Sequence, residues 1–352
     1  MKRVLVIILG LFILASCQTS NKKKEVSTSK VSLTAAGATF PMPYYNMLFK
    51  MYSEKFGSTV TYGGIGSGGG IRSLTDKVVD FGATDAFLDD AKLKEMPAEV
   101  VHIPTCMGAV VIAYNLPGID GLKLSSGLLE KIFLGEITKW DDATIAKNNP
   151  GLKLPNQNIT VVYRSDGSGT TQIFSDYMSK ISPKWAEKVG VGKSLNWPVG
   201  IGAKGNPGVA GTISATAGTI GYIGSEYSFS MKIQTALIQN KAGNYVEPNI
   251  ASISAAAKGN IPDDTRIMLT NSDDAASYPI SAFTWIILYK EQAYNNRTIE
   301  QATATVNLLN WIVSSEAQSV AEKVNYAPLP AAAVEKAQNI LKSVTYQGKT
   351  IL

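Results

Sequence analysis

The chain has 352 residues, of which 45% are hydrophobic and 17% are charged, and this composition supports two ordinary globular domains with cores of their own. Its formal net charge of +5 comes entirely from residues 1–30, which hold six Lys or Arg against one Glu and leave 27 basic and 27 acidic residues in the rest. A neutral body argues against broad electrostatic attraction to nucleic acid, so any bound anion must be held by local geometry.

The N-terminal segment predicts export and a membrane anchor. A basic start and an apolar run over residues 4–15, too short to span a bilayer as a stable helix, are typical of a secretory signal peptide at residues 1–16. The letters LASC, residues 14–17, resemble the lipobox of bacterial lipoproteins, which implies cleavage before Cys17 and acylation of its thiol. The alternative is an ordinary signal peptide with a coincidental cysteine. Residues 17–31 are polar and lack apolar periodicity, so they predict a flexible tether for the folded body.

The cysteine and histidine content argues against disulfide and metal chemistry. Once Cys17 is acylated, Cys106 is the remaining thiol, so an intramolecular disulfide is excluded. Cys106 and the single histidine, His102, lie in the same apolar run, and Cys106 is predicted to be an inert core residue. One histidine and one usable cysteine are too few for a zinc or other transition-metal site, and no cofactor is predicted.

Strand-like segments alternate with helical ones along the chain, which predicts an α/β architecture. Apolar side chains at helical spacing predict a first helix over residues 44–57, with an apolar face formed by Tyr44, Met47, Leu48, Met51 and Tyr52. Further helices are predicted over residues 69–78, 170–181 and 303–324, and strands over residues 59–64, 78–85, 109–115, 159–164, 219–224 and 283–290. No linker divides the body into consecutive halves, which indicates domains joined by more than one crossing.

Three short segments that precede predicted helices are rich in glycine and hydroxyl groups: GATF (37–40), GIGSGGG (64–70) and RSDGSGTT (164–171). Glycine lets a backbone approach a ligand closely, and the start of a helix leaves amide hydrogens unpaired in a field that favours negative charge. Each segment alone is also compatible with an ordinary helix cap or turn. The three together predict a cradle for a small tetrahedral anion.

Side chains in these segments add donors to the predicted cradle. Arg164 offers a planar fork of charged N–H groups, and Asp166, two residues later, is suited to orient that fork. Further candidate donors to the anion are the hydroxyl groups of Thr39, Ser67, Ser168 and Thr170.

Nucleotide and nucleophile sites fit these segments poorly. GIGSGGG lacks the Lys-Ser/Thr ending of a P-loop, and no G-x-G-x-x-G with a later acidic partner is evident. Neither Ser67 nor Ser168 lies in a G-x-S-x-G elbow, and a Ser-His-Asp triad would have to recruit His102 from its apolar run.

A longer set of motifs extends from about residue 33 almost to the C-terminus. It consists of GATFPMPYY, YGGIGSGGG, VDFGATDA, IFLGEITKWDDATIAKNNPGLKLPNQNI, RSDGSGTT, KGNPGV, GTIGYI and YAPLP. In sequence and order this set resembles the phosphate-binding proteins of bacterial high-affinity phosphate ABC importers. The resemblance implies an α/β, two-lobed type II periplasmic binding protein fold with discontinuous lobes joined by hinge strands. Residues 32–106 and 281–352 would form lobe 1, and residues 107–280 would form lobe 2.

The resemblance also implies a function and a set of ligand residues. The chain would capture inorganic phosphate between its lobes and deliver it to an ABC permease and its ATPase. It would act as a lipid-anchored monomer, without enzymatic activity, in the periplasm or at the outer face of the cytoplasmic membrane. In the family, the carboxylate at the position of Asp85 accepts a hydrogen bond from the proton on phosphate, which a sulfate ion lacks. The implied ligand residues are Thr39, Phe40, Ser67, Asp85, Arg164, Ser168, Gly169 and Thr170.

Two rival hypotheses are compatible with the sequence. A secreted phosphatase or esterase that uses Ser67 or Ser168 as its nucleophile would turn over phosphate esters, whereas a receptor would bind free phosphate stoichiometrically. A receptor for another oxyanion, such as molybdate, would keep the fold, but Asp85 in its matching context argues against fully deprotonated anions.

Overall fold

The computed structural model describes residues 30–352, which form a mixed α/β fold around one long sheet. The predicted signal peptide and the predicted tether up to residue 29, including Cys17, lie outside the described residues. Within residues 30–352, none of the helices combines the length and the apolar character that a membrane crossing requires.

Strands and helices alternate through most of the described chain. The strands are β1 Ser32–Gly37, β2 Thr59–Gly64, β3 Phe81–Thr84, β4 Val100–Tyr114, β5 Lys123–Leu124, β6 Thr160–Arg164, β7 Ile201–Ala203, β8 Thr219–Gly224, β9 Gln234–Thr235, β10 Leu237–Gln239, β11 Tyr245–Val246, β12 Ser281–Tyr289, β13 Thr345–Tyr346 and β14 Lys349–Thr350. The helices are α1 Met42–Phe56, α2 Ser67–Thr75, α3 Asp90–Lys94, α4 Ser126–Phe133, α5 Ala143–Asn148, α6 Gly169–Ile181, α7 Pro183–Lys188, α8 Gly205–Ala215, α9 Ser225–Met231, α10 Ile250–Ala255, α11 Ile299–Ile312, α12 Ser315–Gln318 and α13 Ala331–Lys342, with a 3₁₀ turn at Ala321–Val324.

The main sheet has the order β2-β1-β3-β12-β4-β8-β6-β7. Strands β2, β1 and β3 pair in parallel, as do β8, β6 and β7, whereas β12 and β4 run antiparallel to their neighbours. The long strand β4 connects the two parallel groups, because its residues 100–109 pair with β12 and its residues 110–114 pair with β8. We call the elements around β1, β2, β3 and β12 lobe 1 and the elements around β6, β7 and β8 lobe 2; the residue boundaries derived from the resemblance stay a prediction.

The helix predicted over residues 170–181 is confirmed as α6. It begins after Ser168, whose side chain accepts the N–H of Thr171 at 3.0 Å and so satisfies one of the unpaired amides of the first turn. The ring of Phe174 stacks on Tyr222 of β8 with centroids 4.6 Å apart, which fixes the helix start beside the end of β6. The buried apolar face comprises Ile173, Phe174, Tyr177 and Met178.

The first helix forms as predicted, but its buried face differs from the predicted one and consists mostly of its own aromatic side chains. Helix α1 begins at Met42, with proline in its first turn, and ends at Phe56; it is followed by Gly57, whose positive φ of 80° is the left-handed cap that glycine favours. Met47 and Met51, predicted on the apolar face, are only half-buried. The fully buried positions are Tyr44, Tyr45, Leu48, Phe49 and Tyr52.

The prediction of one continuous helix over residues 303–324 is wrong. Helix α11 ends at Ile312, and a separate short helix, α12, starts after Ser314, whose side chain accepts the N–H of Ala317 at 3.4 Å. The final part is a 3₁₀ turn that ends at Val324 and is followed by Asn325 in a left-handed conformation. Ser314 lies in the middle of the apolar periodic pattern. Its side chain caps the start of a new helix, so that α11 is not continued.

The strand predicted over residues 78–85 is shorter, because β3 covers Phe81–Thr84 only. Asp80, just before it, accepts the N–H of Thr34 at 2.6 Å and pairs with the buried guanidinium of Arg297. This buried pair therefore holds in place the backbone that directly precedes β3.

Candidate anion-binding site

The eight predicted ligand residues lie where the two lobes meet, at the carboxyl ends of the parallel strands. Thr39 and Phe40 follow β1, Arg164 is the last residue of β6, and the turn and helix after it supply the remaining residues up to Thr170. Ser67 follows β2, and Asp85 follows β3. Ligands of open α/β sheets bind outside the carboxyl ends of strands, so this placement is typical of a ligand site. The side chains are at most 4% exposed: Thr39, Phe40, Ser67, Asp85, Arg164, Ser168 and Thr170.

Hydroxyl oxygens of this site accept hydrogen bonds from protein donors. Oγ1 of Thr39 accepts from the backbone N–H of Asn206 at 3.0 Å and from its Nδ2 at 3.1 Å. Oγ1 of Thr170 accepts from Nδ2 of Asn206 at 3.1 Å and from Nη1 of Arg164 at 3.3 Å. Oγ of Ser168 accepts a backbone N–H of α6 at 3.0 Å. Since a hydroxyl has two acceptor positions and one donor, the hydrogens on Thr39 and Thr170 are left to be donated elsewhere.

Two tyrosines orient the peptide groups that follow β1. Oη of Tyr62 donates to the carbonyl oxygen of Ala38 at 2.6 Å, and Oη of Tyr227 donates to that of Thr39 at 2.5 Å. A trans peptide directs its C=O and N–H in opposite directions, so the N–H groups of Thr39 and Phe40 point away from the tyrosines. Among residues 30–352, neither N–H has a protein acceptor. A hydrogen bond to the carbonyl also polarises the peptide and strengthens its N–H as a donor.

The start of α6 supplies further donors. Gly169 and Thr170 are its first two residues, whose N–H groups have no partner within a helix. The helix is 13 residues long, so its N-terminus carries a partial positive charge that favours a nearby anion.

Arg164 is held by a bidentate pair with Asp166. Nε donates to Oδ1 at 2.8 Å and Nη2 donates to Oδ2 at 2.7 Å. Burial by itself raises the pKa of Asp166, but the hydrogen bonds and charge of Arg164 outweigh it and leave that pKa below its usual range. The hydrogen bonds within the described chain use three of the five N–H groups of the guanidinium, so two remain for a ligand.

Asp85 is the acceptor among these donors. It is 1% exposed, and Oγ1 of Thr284 donates to its Oδ1 at 3.0 Å. Burial raises the pKa of Asp85 to about 7, against the opposing effects of the Thr284 hydrogen bond and the positive charges of Arg164 and Lys193. The carboxyl group of Asp85 therefore changes charge near neutral pH in the absence of a ligand.

The two lobes approach each other closely at glycine residues. The N–H of Gly68 in lobe 1 donates to the carbonyl oxygen of Gly167 in lobe 2 at 2.8 Å. An ideal Cβ on Gly169 would lie 2.5 Å from Oγ of Ser67 and 2.8 Å from the backbone nitrogen of Asp85. Only glycine fits at position 169 in this arrangement of the lobes.

The sequence analysis missed the residues that support the donors. Asn206 lies in the motif KGNPGV, but nothing local indicated its partners. Thr284 is a polar residue inside a mostly apolar strand, a signal that could have marked it. Tyr62 and Tyr227 carry no sequence signal that separates them from core aromatic residues.

His102 has a structural role. Its Nε2 accepts the N–H of Leu88 at 3.0 Å, and burial lowers its pKa to about 3. The imidazole is therefore neutral, and its acceptor nitrogen is occupied by a backbone group rather than by a serine hydroxyl.

Comparison with known proteins identifies the family of this chain. A family model described as the PBP superfamily domain matches residues 23–316. The phosphate-binding protein PstS of Haemophilus influenzae is 40% identical over 331 residues, which cover 91% of this chain and 93% of that protein. PstS of Xylella fastidiosa is 39% identical over 308 residues, which cover 86% of this chain and 83% of that protein.

Solved structures agree on the fold. The structure of a phosphate-binding protein from Stenotrophomonas maltophilia matches with a TM-score of 0.67, covering 88% of this chain and 94% of that one, at 18% identity. The fold class predicted from the sequence, α/β of the periplasmic binding protein type, is confirmed. The chain belongs to the PBP superfamily and, within it, to the PstS family of phosphate-binding proteins.

Proposed function

We propose that this chain is a receptor that binds inorganic phosphate between its lobes and presents it to the permease of an ABC-type phosphate importer. The observation that carries the proposal is the polarity of the site, which offers many oriented donors and one buried acceptor carboxylate. The names of the relatives, phosphate-binding proteins, support the same function.

The proposed ligand set is the one that the resemblance implies. N–H groups and hydroxyls would donate to three unprotonated oxygens of the anion, and the carboxylate of Asp85 would accept the P–OH of the fourth. Asp166 orients Arg164 and does not contact the ligand. The proposed ligand residues are Thr39, Phe40, Ser67, Asp85, Arg164, Ser168, Gly169 and Thr170.

Phosphate binding is proposed to close the lobes, with residues 32–106 and 281–352 in lobe 1 and residues 107–280 in lobe 2. Donors from both lobes surround the anion only when the lobes are in contact, so the ligand stabilises the closed form. A permease that contacts both lobes then distinguishes the loaded receptor from the empty one.

The chain is proposed to act as an exported, lipid-anchored monomer and not as an enzyme. Cleavage before Cys17 and acylation of its thiol would hold the body at a membrane, in the periplasm or at the outer face of the cytoplasmic membrane. The rival phosphatase or esterase would need a base beside its serine, and the acceptor nitrogen of His102 is occupied by the N–H of Leu88. Oδ2 of Asp85 accepts from Oγ of Ser67 at 3.5 Å, which is long for a catalytic pair, and this carboxylate is proposed to accept the P–OH of phosphate instead.

Calorimetric titration of the mature protein tests this function. We expect one inorganic phosphate bound per chain, no binding of molybdate at comparable concentration, and no release of phosphate from a phosphate monoester over hours. Turnover of the monoester would establish the enzyme hypothesis, and stoichiometric molybdate binding would establish the other receptor hypothesis.

The affinity for sulfate is expected to rise as the pH is lowered from 8 to 6. Sulfate stays a dianion over this range, whereas Asp85, with a pKa of about 7, changes from a repelling carboxylate to a carboxylic acid that can donate a hydrogen bond. Well below the pKa of Asp85, the affinity for sulfate no longer changes with pH. Above that pKa, the affinity for sulfate falls by up to about tenfold for each pH unit. Competition of sulfate against labelled phosphate measures the effect, and a sulfate affinity independent of pH would contradict the role given to Asp85.

A further inference from the structure

We infer that Asn206 is a positioning residue that bridges the lobes and fixes the direction in which the hydroxyl hydrogens of Thr39 and Thr170 point. The inference rests on the proposed function, because the hydrogens matter only if those hydroxyls donate to a bound anion. It adds a determinant of binding that does not itself contact the ligand.

The orientation of the Asn206 amide is fixed by its surroundings. The side chain is fully buried in the first turn of α8, and its Oδ1 accepts the N–H of Gly224 at 3.0 Å. A flipped amide would direct its NH₂ at the Gly224 N–H and leave two donors in conflict. Nδ2 must therefore be the atom that faces the two threonines.

The donors of Asn206 occupy acceptor positions in both lobes. Its N–H and Nδ2 lie 3.0 Å and 3.1 Å from Oγ1 of Thr39, which follows β1 of lobe 1. Nδ2 also lies 3.1 Å from Oγ1 of Thr170 in lobe 2. The link to Thr170 lies within lobe 2, whereas the links to Thr39 exist only when the lobes are together.

These contacts determine the direction in which the hydroxyl hydrogens of Thr39 and Thr170 point. Nη1 of Arg164 supplies the second hydrogen bond to Thr170, so both threonine oxygens accept two hydrogen bonds each. With their acceptor positions filled, Thr39 and Thr170 can act only as donors toward a ligand. Closing the lobes thus converts the Thr39 hydroxyl from a group that can donate or accept into an anion donor.

Asn206→Asp is the informative substitution because it keeps the shape of the side chain and replaces its NH₂ donor with an acceptor oxygen. The carboxylate still accepts from Gly224, but its other oxygen accepts the hydroxyl hydrogens of Thr39 and Thr170 and diverts them from the anion. We expect Asn206→Asp to raise the Kd for inorganic phosphate on the order of 100-fold, and Asn206→Ala on the order of tenfold. A residue that merely fills space would give the reverse order, because Asp is isosteric and Ala leaves a cavity.

A double-mutant cycle separates diverted hydrogens from simple charge repulsion. In a Thr39→Val background the Thr39 hydrogen is already absent, so Asn206→Asp should cost at least about threefold less in Kd than it does in the wild type. Equal costs in the two backgrounds would mean that the introduced carboxylate acts by repulsion alone, which would overturn the inference.

Asn240→Asp is the matched control. Asn240 is also a buried asparagine whose Nδ2 donates to two carbonyl oxygens and whose Oδ1 accepts two N–H groups, but it lies in a turn after β10. Its substitution should lower the melting temperature and leave the Kd for phosphate within about twofold of wild type. If the wild-type protein itself fails to bind phosphate, the proposed function fails; if it binds and Asn206→Asp binds as tightly, only the present inference fails.

Discussion

Replacing Asp85 with asparagine is expected to remove most of the discrimination between phosphate and sulfate. An ionised, buried carboxylate can only accept, so it pairs with P–OH and repels a bare sulfate oxygen. Sites that hydrogen-bond a specific ligand group reject analogues without it by roughly 10⁴–10⁵. Asparagine presents an NH₂ donor instead, so sulfate and phosphate should bind the variant within about tenfold of each other.

Competition titrations at pH 8, where Asp85 is largely ionised, measure this effect. Asp142→Asn, an equivalent change at the half-buried N-cap of α5, should leave both affinities as they are. A variant at position 85 that still excludes sulfate as strongly as the wild type does would show that selectivity resides elsewhere.

Gly169→Ala is expected to weaken phosphate binding by about tenfold to 100-fold, because overpacking of this kind costs about 1–3 kcal/mol. A Cβ at this position would lie 2.5 Å from Oγ of Ser67, 2.7 Å from Cβ of Asp85 and 2.8 Å from its backbone nitrogen. These three atoms belong to lobe 1 and the glycine belongs to lobe 2. The added methyl group therefore holds the lobes apart and separates their donors.

The measurement combines titration with small-angle scattering in the presence and absence of phosphate. We expect the compaction that phosphate produces in the wild type to be reduced in Gly169→Ala. The control is Gly211→Ala in α8, where a Cβ would have no atom within 4 Å, so that affinity and compaction should be unchanged. Wild-type affinity in Gly169→Ala would show that the lobes need not approach as closely as the structure has them.

Helix α6 shows where local reasoning succeeds. A serine cap and four apolar residues at helical spacing lie within a dozen positions, so the sequence contains both the start signal and the buried face. The region after α11 shows where such reasoning fails, since apolar periodicity continues through residues 313–320 although Ser314 starts a new helix. Periodicity reports which side chains are apolar and does not report whether the backbone between them is continuous.

The candidate site likewise contains contacts that the local sequence predicts and contacts that it does not. Arg164 and Asp166 are two positions apart, and their pairing could be predicted because the strand end places both side chains within reach. Asn206 and Thr39 are 167 positions apart, and no local pattern relates them. The pKa of Asp85 likewise depends on distant parts of the chain, because burial raises it and the hydrogen bond from Thr284, 199 positions away, lowers it.

By itself, the sequence determined that glycine-rich and hydroxyl-rich segments precede helices, that an arginine is oriented by its neighbour, and that the body is neutral. These properties depend on residues within a few positions of one another or on composition. Only the tertiary structure decided which way the hydroxyls donate, how closely the lobes meet at Gly169, and that the Asp85 carboxyl titrates near neutral pH. The physical reason is that hydrogen-bond direction and desolvation depend on groups brought together by strand pairing across the sheet, however distant they are along the chain.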